Sequence, residues 1–148
     1  MLESGKIFTE VKLPGRTKDG RPVEILLAIL CIFSNYEKDE VSFSEFLESI
    51  VEFQKKFSSL GYSFSERFLI SIELFSDLED LKYRGYIRDY HYRVDALLPK
   101  RFLALTTLGK GQGKRILRLL PDDVVKPLEN AVKTAMRNYE ERWRLWAR

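Results

Sequence analysis

A phosphate cradle is the first chemistry this sequence invites. Residues 105–117, LTTLGKGQGKRIL, set three glycines and three basic residues between two apolar runs. A P-loop needs Gly, four residues, then Gly-Lys-Ser/Thr, so that backbone N–H groups wrap the phosphates and the hydroxyl holds magnesium. With Gly113-Lys114 as its second half, the first glycine would fall at Leu108, and the hydroxyl position is Arg115. The dinucleotide pattern fails as well, because Gly109-x-Gly111 is followed by Lys114 where the third glycine belongs. The stretch therefore reads as a joint, with glycines loosening the backbone after a strand and RILRLL beginning a short helix. Its cations then face solvent.

Other reactive residues are sparse. His91 is the only histidine and Cys31 the only cysteine, so neither a disulfide nor a transition-metal cluster is expected. His91 lies among alternating tyrosines and reads as packed on a sheet face. Cys31 lies in the most apolar stretch and reads as a buried, inert thiol. There is no Gly-x-Ser-x-Gly elbow. Tyr83, Tyr86, Tyr90 and Tyr92 have the chemistry to stack bases, but their alternation fits strand packing better. No catalytic residue, metal or cofactor is expected, and the chain reads as a binding protein, not an enzyme.

The elements that must carry any binding surface follow from pattern. At 148 residues, 45% hydrophobic and 32% charged, the chain fits one globular unit with a sizeable core. The apolar run from Ile25 to Phe33 is too short for a membrane span and has no signal-peptide layout before it, so no membrane is expected and the cytoplasm is the expected setting. Charge is segregated under a net +3. Residues 22–64 carry 3 Lys/Arg against 7 Asp/Glu, whereas residues 86–120 carry 8 against 2. A local excess of that size is what a polyanion meets.

Residues 1–21 read as an N-terminal arm or short strand, with Ile7, Val11 and Leu13 apolar and PGRTKDGRP as turn chemistry. A first helix over about 22–35 is apolar on nearly every face and therefore central. Ser42-x-x-Glu45 is a capping box, and Phe43, Phe46, Leu47, Ile50, Phe53 and Phe57 continue it as a second helix to about 59. Ser63-x-x-Glu66 is another such box, opening a third helix that ends near Tyr83 before Gly85. YIRDYHYRV (86–94) reads as a strand, DALLPKR as a loop and FLALTT (102–107) as a second strand, together a hairpin. A last helix follows Pro121. On it Val132, Met136, Tyr139, Trp143 and Trp146 recur at intervals of 4, 3, 4 and 3, a coiled-coil-like seam that suits a second copy better than its own domain.

Helix, helix, helix, strand, loop, strand is the order of a winged helix-turn-helix. The segments DLEDLKYRGYI (77–87), the wing 88–101 and LALTTLG (103–109) resemble winged-helix proteins of the MarR and PadR families. The resemblance covers about residues 22–120, with residues 121–148 as the added C-terminal helix. It implies a mainly α fold with a small β-hairpin (α+β) and a DNA-binding protein, a transcriptional regulator in type. Double-stranded DNA is the implied partner, and PadR-like proteins dimerise through a long C-terminal helix. DNA would be read at the start of the third helix by Ser63, Ser65, Arg67 and Ser71, and held from the wing by Arg88, Arg93, Lys100 and Arg101. Glu73, Asp77 and Asp80 share one side of that helix, where phosphates would be repelled. They read as a solvated face with Asp80 paired to Arg84, or as the docking face of a protein-interaction module.

Overall fold

The computed structural model describes residues 23–64, 71–93 and 99–146. The expected N-terminal strand lies outside them. The described chain is mainly helical, with a small three-stranded antiparallel sheet, an α+β arrangement.

Helix α1 (Ile25–Asn35) is the centre, as its composition requires, with every residue from Ile25 to Phe33 buried. Its end is closed by bonds from Glu37 N–H to the Ser34 carbonyl and from Lys38 N–H to the Phe33 carbonyl, with Glu37 at φ +63°. A three-residue strand, β1 (Glu40–Ser42), follows. Pattern reading misses it because three residues show no period. It is defined by its pairing with β3, Val41 opposite Leu103.

Helix α2 (Phe43–Gln54) starts at the expected capping box. The Glu45 N–H donates to Ser42 Oγ at 3.2 Å, and Ser42 Oγ donates to Glu45 Oε1 at 2.9 Å. Lys38 Nζ, 2.8 Å from Glu45 Oε2, compensates the buried carboxylate. The helix stops earlier than expected. A 3-10 turn (Ser58–Leu60) finishes the segment, and Gly61 leaves it at φ +78°.

Helix α3 (Ile72–Tyr83) corrects the expected start near residue 65. Its cap is Ser71, whose Oγ accepts from Leu74 N–H at 3.2 Å. Its end is the expected one. Tyr86 N–H reaches back to the Leu81 carbonyl and Gly85 N–H to that of Lys82, with Gly85 at φ +80°. This double closure needs a left-handed residue after the cap, which glycine supplies.

Strands β2 (Ile87–Arg93) and β3 (Pro99–Leu105) form the expected hairpin, with Ile87 opposite Leu105 and Arg93 opposite Pro99. Sheet order is β1-β3-β2, so β2 is an edge. The segment 99–101 is strand, not loop, with Pro99 at the first position, where its missing N–H is tolerated.

Helix α4 (Thr107–Leu119) overturns the reading of the glycine stretch. Gly109, Gly111 and Gly113 lie inside a helix, not in a loosened joint. A Cβ at Gly109 would stand 1.9 Å from the Tyr86 carbonyl oxygen, and one at Gly113 would stand 2.9 Å from Cys31 Cβ and 3.1 Å from the Leu27 carbonyl oxygen. These two glycines let α4 lie directly on α1 and on the corner leading into β2. Thr106 fixes the same corner. Its Oγ1 accepts from Gly109 N–H at 3.0 Å and donates to the Gly85 carbonyl at 2.6 Å.

Helix α5 (Asp122–Trp146) packs along α2 and α1. Val124, Leu128, Ala131, Val132 and Ala135 belong to the same core as α1. No helix among the described residues is long and apolar enough to cross a membrane.

The three α4 glycines separate cleanly by substitution. Gly111 has nothing within 4 Å of an added Cβ. Gly111→Ala should therefore raise unfolding stability by about 0.5–1 kcal/mol through helix propensity. Gly109→Ala and Gly113→Ala should lower it by about 1–3 kcal/mol through overpacking. Urea denaturation of the three variants measures the contrast.

Candidate nucleic-acid interface

The expected interface divides into the start of α3 and the hairpin. At the start of α3, Ser63 is exposed, while Ser65 and Arg67 lie outside the described residues. Ser71 is buried and occupied as the helix cap, with a further bond to Glu73 Oε2 at 3.0 Å. Its hydroxyl holds the helix start and does not reach for a base, which corrects its expected role.

The acidic side of α3 is also corrected. Asp77 is buried, and Tyr62 Oη donates to its Oδ2 at 2.7 Å. Glu73 takes the Ser71 bond. Asp80 is paired with Arg84 at 3.0 Å, as the one-turn spacing implies. Of the three carboxylates, Asp77 faces the core and the other two have partners within their own chain. They do not form a free acidic docking face. The outward side of α3 is instead Ile72, Ser76, Glu79 and Tyr83, at intervals of 4, 3 and 4. Ile72 is 81% exposed and Tyr83 92%. Glu79 is the one charge in that row.

In the hairpin, Ile87 points into the core and Arg88 to solvent, as strand alternation requires. Arg88 Nη1 lies 3.4 Å from Tyr90 Oη on the same side of β2. Arg93 and Lys100 are placed by register alone, Lys100 opposite Tyr92. Arg101 does not project toward phosphate. Its guanidinium grips Asp89 through Nε at 2.9 Å and Nη2 at 2.6 Å. It also lies 4.4 Å from the Phe43 ring centre and 5.1 Å from that of Phe75, the two rings being stacked. A bidentate, ring-stacked guanidinium is a structural clamp. Arg101 thus joins β3 to β2, α2 and α3. The spacing of Asp89 and Arg101 offered no local signal, since the pair meets only after the hairpin forms.

The expected dimer seam is largely used within the chain. Val132 is fully buried in the domain core and Met136 packs against it. Tyr139 lies under Lys38, 5.2 Å from Nζ to the ring centre. Farther along, Asn138 Nδ2 and Arg142 Nη2 both donate to Glu48 of α2, at 2.6 and 3.0 Å. Over this stretch the helix docks on its own α2. Trp143 and Trp146 are placed on α5 by the backbone alone.

One buried carboxylate links the elements behind this surface. Glu24, just before α1, accepts from Gln112 Nε2 of α4 at 3.3 Å and lies 3.8 Å from Arg84 at the end of α3. Burial raises its pKa above the ordinary 4.5, partly offset by the Gln112 bond and by Arg84. Among the described residues, no group of three or more His, Cys, Asp or Glu is placed to hold a metal ion.

A raised carboxyl pKa means that the folded state holds its proton more tightly than the unfolded state. The contribution of Glu24 to stability is therefore full below pH 4.5 and is lost as pH rises through the elevated value. Glu24→Gln, which mimics the protonated form, should match wild type in acid and melt higher at neutral pH. Thermal melts across that range provide the check. Comparison with known protein families, curated proteins and solved structures finds no match for this chain.

Proposed function

We propose that this chain is a winged-helix DNA-binding protein, a transcriptional regulator in type, that sets α3 and the β2–β3 hairpin against a duplex. The element order supports it: helix, short strand, helix, helix, hairpin, with the short strand β1 closing the sheet against β3. The observation that carries the reading is the disposition of charge on α3. Of its four carboxylates, Asp77 is buried under Tyr62, Glu73 bonds Ser71 and Asp80 is paired with Arg84, which lessens the repulsion a phosphate backbone would meet and leaves Glu79 as the one in the outward row. What faces outward is a nearly neutral helix row beside an edge strand bearing Arg88. In this reading the hairpin contributes salt-dependent, sequence-independent affinity. The exposed positions of α3 and Ser63 supply sequence preference.

A second reading is favoured by one observation, the large exposure of Ile72 and Tyr83 on the same helix row. Exposed apolar groups in a row also suit a protein partner. Under that reading, Ile72→Ser and Tyr83→Ser would abolish partner capture and leave duplex affinity at the wild-type level.

Fluorescence anisotropy with labelled duplex at several salt concentrations tests the primary reading. Binding should weaken steeply with salt. Arg88→Ala should weaken binding to all sequences alike and reduce the log–log salt slope by about 0.9, the loss of one phosphate contact. Ile72→Ser should weaken it further. Salt-insensitive binding, or none, removes the DNA reading.

A further inference from the structure

We infer that the outward face of α4 is a second contact for the phosphate backbone of double-stranded DNA, separate from the hairpin and indifferent to sequence. The inference rests on the reading above only for the identity of the polyanion.

Lys110, Lys114 and Arg118 recur every four residues and are all exposed, so they form one row roughly 12 Å long on the helix. No Asp or Glu occurs in α4. Lys110 has a loose contact with the exposed Asp39 at 3.6 Å. Lys114 and Arg118 form no ion pair among the described residues. The opposite side of the helix is committed, because Gly109, Gly113 and Ile116 are buried against the fold. Between Lys110 and Lys114 the face is bare, since an added Cβ at Gly111 meets nothing within 4 Å. Asp122 and Asp123, exposed at the start of α5, are the next carboxylates along the chain.

This makes a positive track on a helix whose opposite face is closely packed. Duplex DNA presents one phosphate per strand for about every 3.4 Å of axis, so a 12 Å row spans several. The exposed face has no aromatic ring, which argues against stacking on single-stranded bases. Its exposed apolar residues, Leu108 and Leu119, lie at opposite ends of α4. They make no continuous strip for a bilayer to receive.

The test uses the full chain, a labelled random-sequence duplex and a salt series. It compares wild type, Arg88→Ala, the pair Lys114→Ala/Arg118→Ala and the conservative pair Lys114→Arg/Arg118→Lys. Circular dichroism melts accompany each variant, and alanine suits both exposed helix positions. We expect the alanine pair to lower the salt slope by about 1.8 and affinity at about 0.1 M salt by roughly tenfold or more. The conservative pair should retain both. If wild type binds duplex and the alanine pair binds with unchanged affinity and slope, the α4 contact is refuted while the hairpin reading stands. If Arg88→Ala is silent and the alanine pair is weak, the hairpin reading falls and the α4 contact stands. If wild type ignores duplex but binds vesicles of phosphatidylcholine with phosphatidylserine, the inference is overturned in favour of a lipid surface.

Discussion

Everything in this fold depends on one apolar helix having no face left for water. From Ile25 to Phe33, α1 is closed on all sides, and α2, α4, α5, β1 and β3 each cover part of it. Fully burying a large apolar side chain contributes roughly 1.5–3 kcal/mol, so a helix of this kind sets the positions of its neighbours. The C-terminal helix is among them. It reads as an appendage in sequence, yet Leu128, Val132 and Ala135 complete the same core. Gly113 of α4 answers the same demand from the other side. Without a side chain there, the helix backbone itself becomes part of the wall around α1.

The second organising feature is that charge with a structural task is drawn inward and the remainder is left outside. Asp77 under Tyr62, Asp89 in the grip of Arg101, and Glu45 beside Lys38 are all removed from the surface. Each is satisfied by a partner, as a buried carboxylate must be. Around α3 the outer surface therefore presents fewer carboxylates than the order of residues alone conveys. Formal charge per segment is therefore a poor guide to the groups a partner meets, which depend on which side chains are buried or paired within the chain.

Local signals were legible and distant ones were not. Ser42 and Glu45 announce the start of α2 because both partners of the cap lie within one turn. Gly85 announces the end of α3 because only a left-handed residue permits that closure. The hairpin was visible from residue type alone. By contrast, Ser63 with Glu66 makes the better local pattern, yet Ser71 is the residue that caps α3. Asp77 and Tyr62 lie fifteen positions apart, and nothing near either names the other. The glycines of α4 suggested a loop because their reason lies elsewhere, in Tyr86, Leu27 and Cys31. The seam on α5 had the correct period, but periodicity is the same whether a helix docks on its own chain or on another. Val132 in the core and Asn138 bonded to Glu48, ninety positions before it, put the first part of that seam on its own chain.

The single thiol sits at one of these close contacts. Cys31 is 2% exposed, faces Gly113 across the α1–α4 boundary, and burial raises its pKa. A thiol-directed reagent reaches that sulfur only when the two helices part. The molecule thus carries an internal clock for its own breathing. The rate at which the sulfur is alkylated in native buffer reports how often α4 lifts from the centre, with no label introduced.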